Sequence, residues 1–237
     1  KGNLAIGHCR YSTTGSSTWV NAQPTLRPTK YGTLALAHNG NLTNTGDLAE
    51  LVQKLEGSVT SKSGATTDTE IMTALIALQD EKNVEASALA VLPQLEGAFS
   101  LVFMDEHTLY AARDRHGVRP LVLGKLETGW VVASESAALD IVGAAFVREI
   151  EPGEFIAIDN DGVRSQRWAE AQPKGCLFEY VYLARPDTTI AGSGIHKTRV
   201  AIGAQLAREA PAEADLVIPV PESGTPAAIG YAKESGI

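Results

Sequence analysis

The sequence predicts an α+β fold in which helices come first and short strands follow. Three helical patterns occupy most of residues 47–95, and seven short strand patterns separated by turns follow over residues 98–167. Because strands do not alternate regularly with helices, the pattern is not that of a parallel βαβ protein. A length of 237 residues suits one large domain, or one domain and part of another.

The first third of the chain carries clear strand and helix signals. Leu4–Cys9 and Leu34–His38 have the continuous apolar character of buried strands, and residues 12–30 between them predict a loop. The pair Asn39-Gly40 predicts a turn that closes the second strand. Asp47–Leu55 predicts a helix with its leucines on one face.

The next helix has a marked start signal. Gly57 should end the preceding helix and residues 58–65 should form a loop. Thr67 stands three residues before Glu70 and just before an apolar run, as in a capping box. We therefore expect one helix from this point to about Asp80, and another over Val84–Leu95.

The remaining elements are short strands and then a change of character. A short helix is expected over Ser136–Val142, and the predicted strands are Ala98–Met104, Thr108–Ala112, Pro120–Gly124, Gly129–Ser134, Phe146–Ile150, Glu154–Ile158 and Val163–Arg167. The stretch Gln172–Gly175 predicts a domain boundary. Beyond it the pattern predicts strand, helix, strand and helix, over Leu177–Leu183, His196–Glu209, Leu216–Val220 and Pro226–Glu234.

Composition excludes several classes of protein. The 20 Lys and Arg against 28 Asp and Glu give a net charge of −8, which argues against a nucleic-acid partner and against docking on an anionic membrane. Two cysteines, Cys9 and Cys176, cannot form a disulfide scaffold, so we expect a cytoplasmic location. The chain begins with Lys1 and stops at Ile237 directly after a helical pattern, and we expect it to be a fragment.

Three segments carry residues that suit an amino-acid substrate. Arg10, at the end of the first predicted strand, could hold a carboxylate, although a structural salt bridge is an equal explanation. Asn39 and Gly40 could supply two donors to an oxyanion, or be an ordinary turn. Asp68 could accept a hydrogen bond from an ammonium group, whereas Thr67 and Glu70 are explained by helix capping. Cys9 is expected to be a small buried hydrophobe.

In order and spacing these segments resemble the class II glutamine amidotransferases, which are N-terminal-nucleophile hydrolases. The matching runs are Gly-His-Cys-Arg-Tyr-Ser-Thr at 7–13, Ala-His-Asn-Gly-Asn-Leu at 37–42 and Thr-Asp-Thr-Glu at 67–70. Further runs resemble the amidophosphoribosyltransferases within that family: Gly-Val-Arg-Pro-Leu at 117–121, Val-Ala-Ser-Glu-Ser at 132–136, Glu-Pro-Gly-Glu at 151–154 and Cys-Leu-Phe-Glu-Tyr-Val-Tyr-Leu-Ala-Arg-Pro-Asp at 176–187. The segment at 113–117 has Arg115 where the family commonly has proline, so its loop conformation is open.

The resemblance implies a fold and a reaction. Residues 1–172 would form a four-layer αββα glutaminase domain, and 173–237 would begin an α/β type I phosphoribosyltransferase domain. The family converts glutamine, water and phosphoribosyl pyrophosphate (PRPP) to 5-phosphoribosylamine, glutamate and pyrophosphate, the first committed step of purine synthesis. It also implies purine nucleotides as feedback inhibitors and a homo-oligomer.

The resemblance implies roles for individual residues of the first site. Arg10, with Thr13 nearby, would bind the glutamine α-carboxylate, Asp68 the α-ammonium, and Asn39 and Gly40 the oxyanion. The family's nucleophile is an N-terminal Cys-Gly pair, which this sequence does not contain. We therefore expect the chain by itself to hydrolyse no glutamine.

A second site is implied near the end of the chain. Residues Glu222, Ser223, Gly224 and Thr225 resemble the family's pyrophosphate loop, with Ser223 placed to meet Mg²⁺ or a phosphate oxygen. An ordinary strand-turn-helix is the alternative. Cys176 matches a position that, with three later cysteines, holds a [4Fe–4S] cluster in one branch of the family, although packing would explain it equally.

Two other functions stay open from the sequence. One is a different class II amidotransferase, such as the glucosamine-6-phosphate synthase type, which would turn over fructose 6-phosphate. The other is an inactive homologue that binds glutamine without hydrolysing it and serves as a binding or regulatory subunit.

Overall fold

The structure is a computed structural model that describes residues 2–11, 18–57 and 67–237. Its α-helices are α1 (Thr45–Glu56), α2 (Asp68–Leu78), α3 (Val84–Val91), α4 (Ser136–Ile141), α5 (Ile195–Glu209) and α6 (Thr225–Ser235). Its strands are β1 (Thr25–Thr29), β2 (Gly32–Leu42), β3 (Gly97–Met104), β4 (Leu109–Arg113), β5 (Val122–Lys125), β6 (Trp130–Ala133), β7 (Ala145–Glu149), β8 (Glu154–Asp159), β9 (Gly162–Arg167), β10 (Thr189–Ile190) and β11 (Ser193–Gly194).

The chain forms two compact units. The first comprises Lys1–Arg119 and Ile150–Lys174, and the second comprises Pro120–Glu149 and Gly175–Ile237. The second unit thus contains a segment from the middle of the chain together with its last part. This mixture of helices with antiparallel strands confirms the α+β class.

The first unit is built on a six-stranded antiparallel sheet in the order β1-β2-β3-β4-β8-β9. Helix α2 packs on β1 and β2, and α1 and α3 pack on α2. The core between them is mainly apolar, with a few buried polar side chains such as Thr25 and Thr73. Its largest side chains with under 2% exposure include Leu36, Met72, Leu75, Phe99, Phe103 and Phe155.

Helix ends in this unit follow the sequence signals. Gly57 ends α1 in the left-handed conformation, with φ at 64°. The Thr67 hydroxyl accepts the Glu70 N–H at 3.4 Å and so caps α2. The Glu70 carboxylate accepts hydrogen bonds from the Arg27 guanidinium, which ties the first turn of α2 to β1.

The second unit has a small antiparallel sheet and a closely packed helix pair. Its sheet has the order β6-β5-β7, and Leu139 of α4 packs against it. Helices α5 and α6 pack backbone against backbone: a Cβ on Gly203 would lie 1.8 Å from the Ala227 carbonyl oxygen. Such an approach is open only to glycine.

Three strand predictions are wrong within the described residues. Leu4–Cys9 has no strand, residues 177–183 form a helical segment that ends in a π-helix over Glu179–Leu183, and residues 216–220 form no strand. A short apolar run does not by itself distinguish a strand from a helical turn. At 179–183 the helical conformation is stabilised by Arg199, whose guanidinium donates to the carbonyls of Tyr180 and Ala184 at 2.7 and 2.8 Å.

Two further expectations need correction near the start of the chain. The predicted loop over residues 12–30 contains β1, and within it residues 12–17 lie outside the described part. The predicted Asn39-Gly40 turn is instead part of β2, which continues to Leu42. The predicted loop at 58–65 lies outside the described residues. Among the residues that are described, no helix is long and apolar enough to cross a membrane.

Candidate active site

The candidate site lies where β2 extends beyond the end of β1. Thr25 is the first residue of β1 and pairs with Leu36, so residues 37–42 of β2 have β3 on one side and no β1 partner on the other. Backbone N–H groups along a strand point to alternate edges. The edge that β1 leaves open therefore presents every second amide of β2.

Within the described residues, side chains accept hydrogen bonds from two of these edge amides but not from the amide between them. The His38 N–H donates to Gln23 Oε1 at 2.7 Å, and the Leu42 N–H donates to Asp68 Oδ2 at 3.2 Å. By the same two-residue alternation the Gly40 N–H points to this edge, between them. A bound anion at this edge would meet a backbone donor.

Glycine is required at position 40. Its φ is +145°, and a Cβ there would lie 2.0 Å from the Ala98 carbonyl oxygen. Any side chain would push β2 away from β3 and displace the edge amide. The Asn-Gly signal in the sequence was therefore correct about the need for glycine, but for a strand conformation and not for a turn.

Asn39 lies on the opposite face of the sheet from the helices. It pairs directly with Ser100, whose hydroxyl donates to the Arg119 carbonyl at 3.1 Å. The Arg119 Nε–H donates to Asn39 Oδ1 at 3.2 Å. Arg119 thus holds the side-chain carbonyl of Asn39, the residue that precedes Gly40 in the sequence.

Asp68 is held in its ionised form at the start of α2. Its carboxylate accepts the N–H groups of Leu42 and Thr69, and the residue is 9% exposed. Burial alone would raise the pKa of Asp68. The His38 ring and the two backbone donors outweigh burial, so that the pKa lies below its ordinary value.

His38 faces Asp68 on the helix side of the sheet. Its Nδ1 lies 3.5 Å from Asp68 Oδ1, and only 2% of its side chain is exposed. Its Nε2 is buried with no hydrogen-bond partner among the described residues. Burying a carboxylate or an imidazole alone in an apolar core would be unfavourable, and placing the two side by side reduces that cost.

The segment formed by residues 2–11 runs close to this pair. Burial, and then the charges of His38 and Arg10, lower the pKa of His8. Arg10 is half-buried, so that its guanidinium is partly withdrawn from solvent. The structure therefore brings Asp68, Asn39 and Gly40 to one end of β2, and it places His8, two residues before Arg10, near His38. Thr13 lies outside the described residues.

The expectation for Cys9 is wrong. It is exposed and is not a buried hydrophobe. Residues 2–11 form no strand, and Cys9 belongs to the exposed side of this segment, whereas Leu4, Ile6, His8 and Arg10 are half-buried.

The loop predicted to hold pyrophosphate is a turn at the start of α6. Glu222, Ser223 and Gly224 lie in this turn, and Thr225 is the first helical residue. The Gly224 N–H donates to the Val220 carbonyl at 3.1 Å and the Thr225 N–H to the Glu222 carbonyl at 3.2 Å. The preceding strand that the sequence predicted is not formed.

Each of the two metal predictions rests on one candidate ligand, Cys176 for the [4Fe–4S] cluster and Ser223 for Mg²⁺. Cys176 is half-buried, and its carbonyl accepts the Glu179 N–H at the start of the helical segment. Within the described residues no three His, Cys, Asp or Glu side chains come together as a metal site. One thiol does not hold a four-iron cluster, and one hydroxyl does not hold Mg²⁺. The residues of this part of the chain therefore fit neither group by themselves.

Sequence reasoning missed three residues of the site. Gln23 lies in the segment predicted as a loop, whereas His38 and Arg119 lie in the runs at 37–42 and 117–121 that carried the family resemblance but were given no role. A histidine within an otherwise apolar predicted strand could have indicated that His38 belongs to the site, because buried polar residues are uncommon. The Arg119–Asn39 contact leaves no local pattern, because it depends on how a distant loop meets the sheet.

The chain matches known proteins along its whole length. A family model described as a glutamine amidotransferase domain matches residues 8–141. Over 241 residues the chain is 62% identical to the amidophosphoribosyltransferase of Mycobacterium tuberculosis, covering all of this chain and 46% of the relative. Over 243 residues it is 48% identical to that of Synechococcus elongatus, covering all of the chain and 49% of the relative.

A solved structure agrees. The glutamine PRPP amidotransferase from B. subtilis, complexed with ADP and GMP, superposes with a TM-score of 0.89 at 39% identity. The alignment covers 97% of this chain and 49% of that one. The chain thus spans about half the length of the relatives it matches. Because the family match includes Asn39, Gly40 and Asp68 and more than half of the sequence, the chain belongs to the glutamine amidotransferase family.

Proposed function

We propose that the protein is a glutamine-dependent amidophosphoribosyltransferase. It would convert PRPP, glutamine and water to 5-phosphoribosylamine, glutamate and pyrophosphate. The observation that carries the proposal is the open edge of β2, where the Gly40 amide lies between two amides already bound by Gln23 and Asp68. The relatives that match the whole chain are named for this reaction.

In the first half-reaction a thiolate attacks the glutamine side-chain amide. The sulfur forms a bond to the carbonyl carbon, and the electron pair of the C=O bond moves to oxygen. The Asn39 amide N–H₂ and the Gly40 N–H donate to that oxyanion. The tetrahedral intermediate then collapses: the C–N bond breaks as the amide nitrogen takes up a proton and leaves as ammonia, and water releases glutamate from the thioester. The attacking thiol is that of the family's N-terminal cysteine.

Two charged groups would orient the substrate. Asp68 is ionised and buried, and each of its oxygens accepts one backbone hydrogen bond, which leaves lone pairs for an ammonium group. Arg10 would bind the α-carboxylate, with Thr13 nearby. A fixed cation and a fixed anion select a free α-amino acid over a peptide, because a peptide lacks one or both charges.

In the second half-reaction ammonia would attack C1 of PRPP. A C–N bond forms as the C–O bond to pyrophosphate breaks. By the family resemblance, Glu222, Ser223, Gly224 and Thr225 would bind the leaving pyrophosphate at the start of α6. Mg²⁺ near Ser223 and a [4Fe–4S] cluster near Cys176 stay predictions of the family resemblance, and no step is assigned to either.

Domain organisation, regulation and assembly belong to the same proposal. Residues 1–172 would be the glutaminase domain and 173–237 the beginning of the phosphoribosyltransferase domain. Purine nucleotides would act as feedback inhibitors, which accords with the ADP and GMP complexed with the B. subtilis enzyme. A homo-oligomer and a cytoplasmic location complete the proposal.

The test uses the complete gene product, incubated with glutamine and PRPP. We expect glutamate and pyrophosphate to form in equal amounts, and PRPP to be lost only when glutamine or ammonia is present. The control replaces PRPP with fructose 6-phosphate. Turnover of fructose 6-phosphate would place the protein with the glucosamine-6-phosphate synthase type, and glutamine binding without hydrolysis would identify an inactive homologue.

A further inference from the structure

The loop between β4 and β5 is fixed from several sides in the first unit. Asp114 accepts the N–H groups of His116 at 2.8 Å and of Phe99 at 3.1 Å. Arg113 is 6% exposed, and its guanidinium donates to the carbonyls of Gly117, Arg119 and Ile150 at 2.7 to 2.9 Å. The loop therefore holds its shape without the proline that the family commonly has at position 115.

This loop places Arg119 against the sheet beside Ser100 of β3. The Arg119 carbonyl accepts from both Arg113 Nε at 2.8 Å and Ser100 Oγ at 3.1 Å. Ser100 is the direct cross-strand partner of Asn39. The backbone of Arg119 is thus anchored on the residue beside Asn39, which sets the distance its side chain must span.

The contact fixes which end of the Asn39 amide points where. A guanidinium only donates hydrogen bonds, so the atom of Asn39 that faces Arg119 Nε must be the carbonyl oxygen. The N–H₂ group then points away from Arg119. Without the arginine, the amide could rotate by half a turn and present its oxygen to a developing oxyanion, which would repel it.

We propose that Arg119 is a positioning residue of the glutaminase reaction, which holds the Asn39 amide so that its N–H₂ faces the oxyanion. This inference rests on the proposed function. A positioning role differs from a purely structural role in one testable respect. Because Arg119 would act through Asn39, its removal should affect catalysis only while Asn39 is present.

The test is a double-mutant cycle on glutamine hydrolysis by the complete gene product. Arg119→Met keeps much of the side-chain volume and removes the donor, and Asn39→Ala removes the group it orients. We expect Arg119→Met to lower kcat about tenfold or more, with KM changed less than about twofold. Asn39→Ala should lower kcat by about 10²–10³, the usual loss for one oxyanion donor.

The double variant decides the question. If Arg119 acts through Asn39, Arg119→Met should lower kcat no further in the Asn39→Ala background, because coupled residues are not additive. An equal loss in both backgrounds, or no loss in kcat from Arg119→Met, would overturn the inference. Should Arg119→Met fail to fold, Arg119→Lys replaces it, since lysine keeps the charge but has no donor at the Nε position.

The control is Arg115→Met in the same loop. Arg115 is exposed, and its backbone carbonyl accepts the Gln172 N–H, which the substitution leaves in place. We expect parental kcat and KM from this variant. The parent enzyme is assayed first: a parent that hydrolyses no glutamine refutes the proposed function, whereas an active parent with an additive cycle refutes the role of Arg119 alone.

Discussion

A few side chains with unusual surroundings give the candidate site its chemistry. The Asp68 carboxylate is buried yet ionised, because two backbone N–H groups and an imidazole surround it. Gly40 has a backbone conformation and a contact that no other residue tolerates. These features follow from local contacts, and each can be changed by one substitution.

Asn39→Ala is expected to lower glutamine hydrolysis by the complete enzyme about 10²–10³-fold in kcat, because one donor to the oxyanion is lost. Steady-state kinetics with glutamine as varied substrate measure this. The control is Asn41→Ala, two residues along the same strand, which should retain most activity. A similar loss from both substitutions would mean that the strand, and not the Asn39 amide, was damaged.

Asp68→Asn is expected to destabilise the fold by about 1–3 kcal/mol at pH 7, since hydrogen bonds to a charged acceptor are lost or weakened. The pKa of Asp68 is lower in the folded chain than its ordinary 3.8. The carboxylate therefore stabilises the fold fully above the ordinary pKa, and this stabilisation is lost as pH falls through the lower, folded pKa.

Urea unfolding of parent and variant over a range of pH checks this expectation. The difference in free energy of unfolding should be constant near neutrality and should shrink below about pH 4. Asp161→Asn, in the exposed turn between β8 and β9, is the matched control and should change little. A difference that did not change with pH would contradict the assigned role of the Asp68 charge.

At the level of elements, strand length creates the site. β2 has 11 residues and β1 has five, so the inner strand continues past the end of its outer neighbour. Gln23 and Asp68 then accept hydrogen bonds from the open amides of His38 and Leu42, while no side chain in the described part of the chain does so at Gly40. An open strand edge usually pairs with another strand, but here the backbone N–H groups of β2 donate to side chains.

The α5–α6 pair is the other element whose geometry depends on small residues. Gly203→Ala would place a Cβ 1.8 Å from the Ala227 carbonyl oxygen, so the helices must separate. We expect a loss of about 1–3 kcal/mol, typical of overpacking, measured by thermal or urea unfolding.

The control for this prediction is Gly46→Ala in α1. Nothing lies within 4 Å of a Cβ at that position, and alanine is the better helix former. Its stability should be unchanged or slightly higher. If Gly203→Ala were equally neutral, the close approach of α5 and α6 would be disproved.

At the scale of the whole molecule, the two candidate sites belong to different compact units. Asn39 lies in the first unit and Ser223 in the second. A reaction in which one site releases ammonia and the other consumes it suits such a division, because each site can be supplied or disabled separately.

We therefore expect the Asn39→Ala enzyme to keep ammonia-dependent formation of phosphoribosylamine while it loses the glutamine-dependent reaction. Ser223→Ala should show the opposite pattern, with weaker use of PRPP from either nitrogen source and glutamine hydrolysis retained. Pyrophosphate release with glutamine or with ammonium chloride measures both. Loss of the ammonia reaction in Asn39→Ala would show that the two functions are not separable in this way.

The sequence by itself determined the family, the α+β class and most helix and strand positions after residue 45. Those elements rest on local causes: apolar periodicity, the Thr67 cap and the Gly57 stop all act within a few residues. It also proposed Asn39, Gly40, Asp68 and Arg10 as site residues, because their motifs are contiguous, and these roles stay predictions.

Only the tertiary structure decided how those residues are presented. Whether Asn39-Gly40 is a turn or a strand depends on β3, which pairs with it from some 60 residues away. The same holds for Arg199, which makes a helical segment of a strand-like run, and for Arg119, which orients Asn39. A local pattern records what a segment prefers, whereas contacts between distant segments decide which of its conformations is stable.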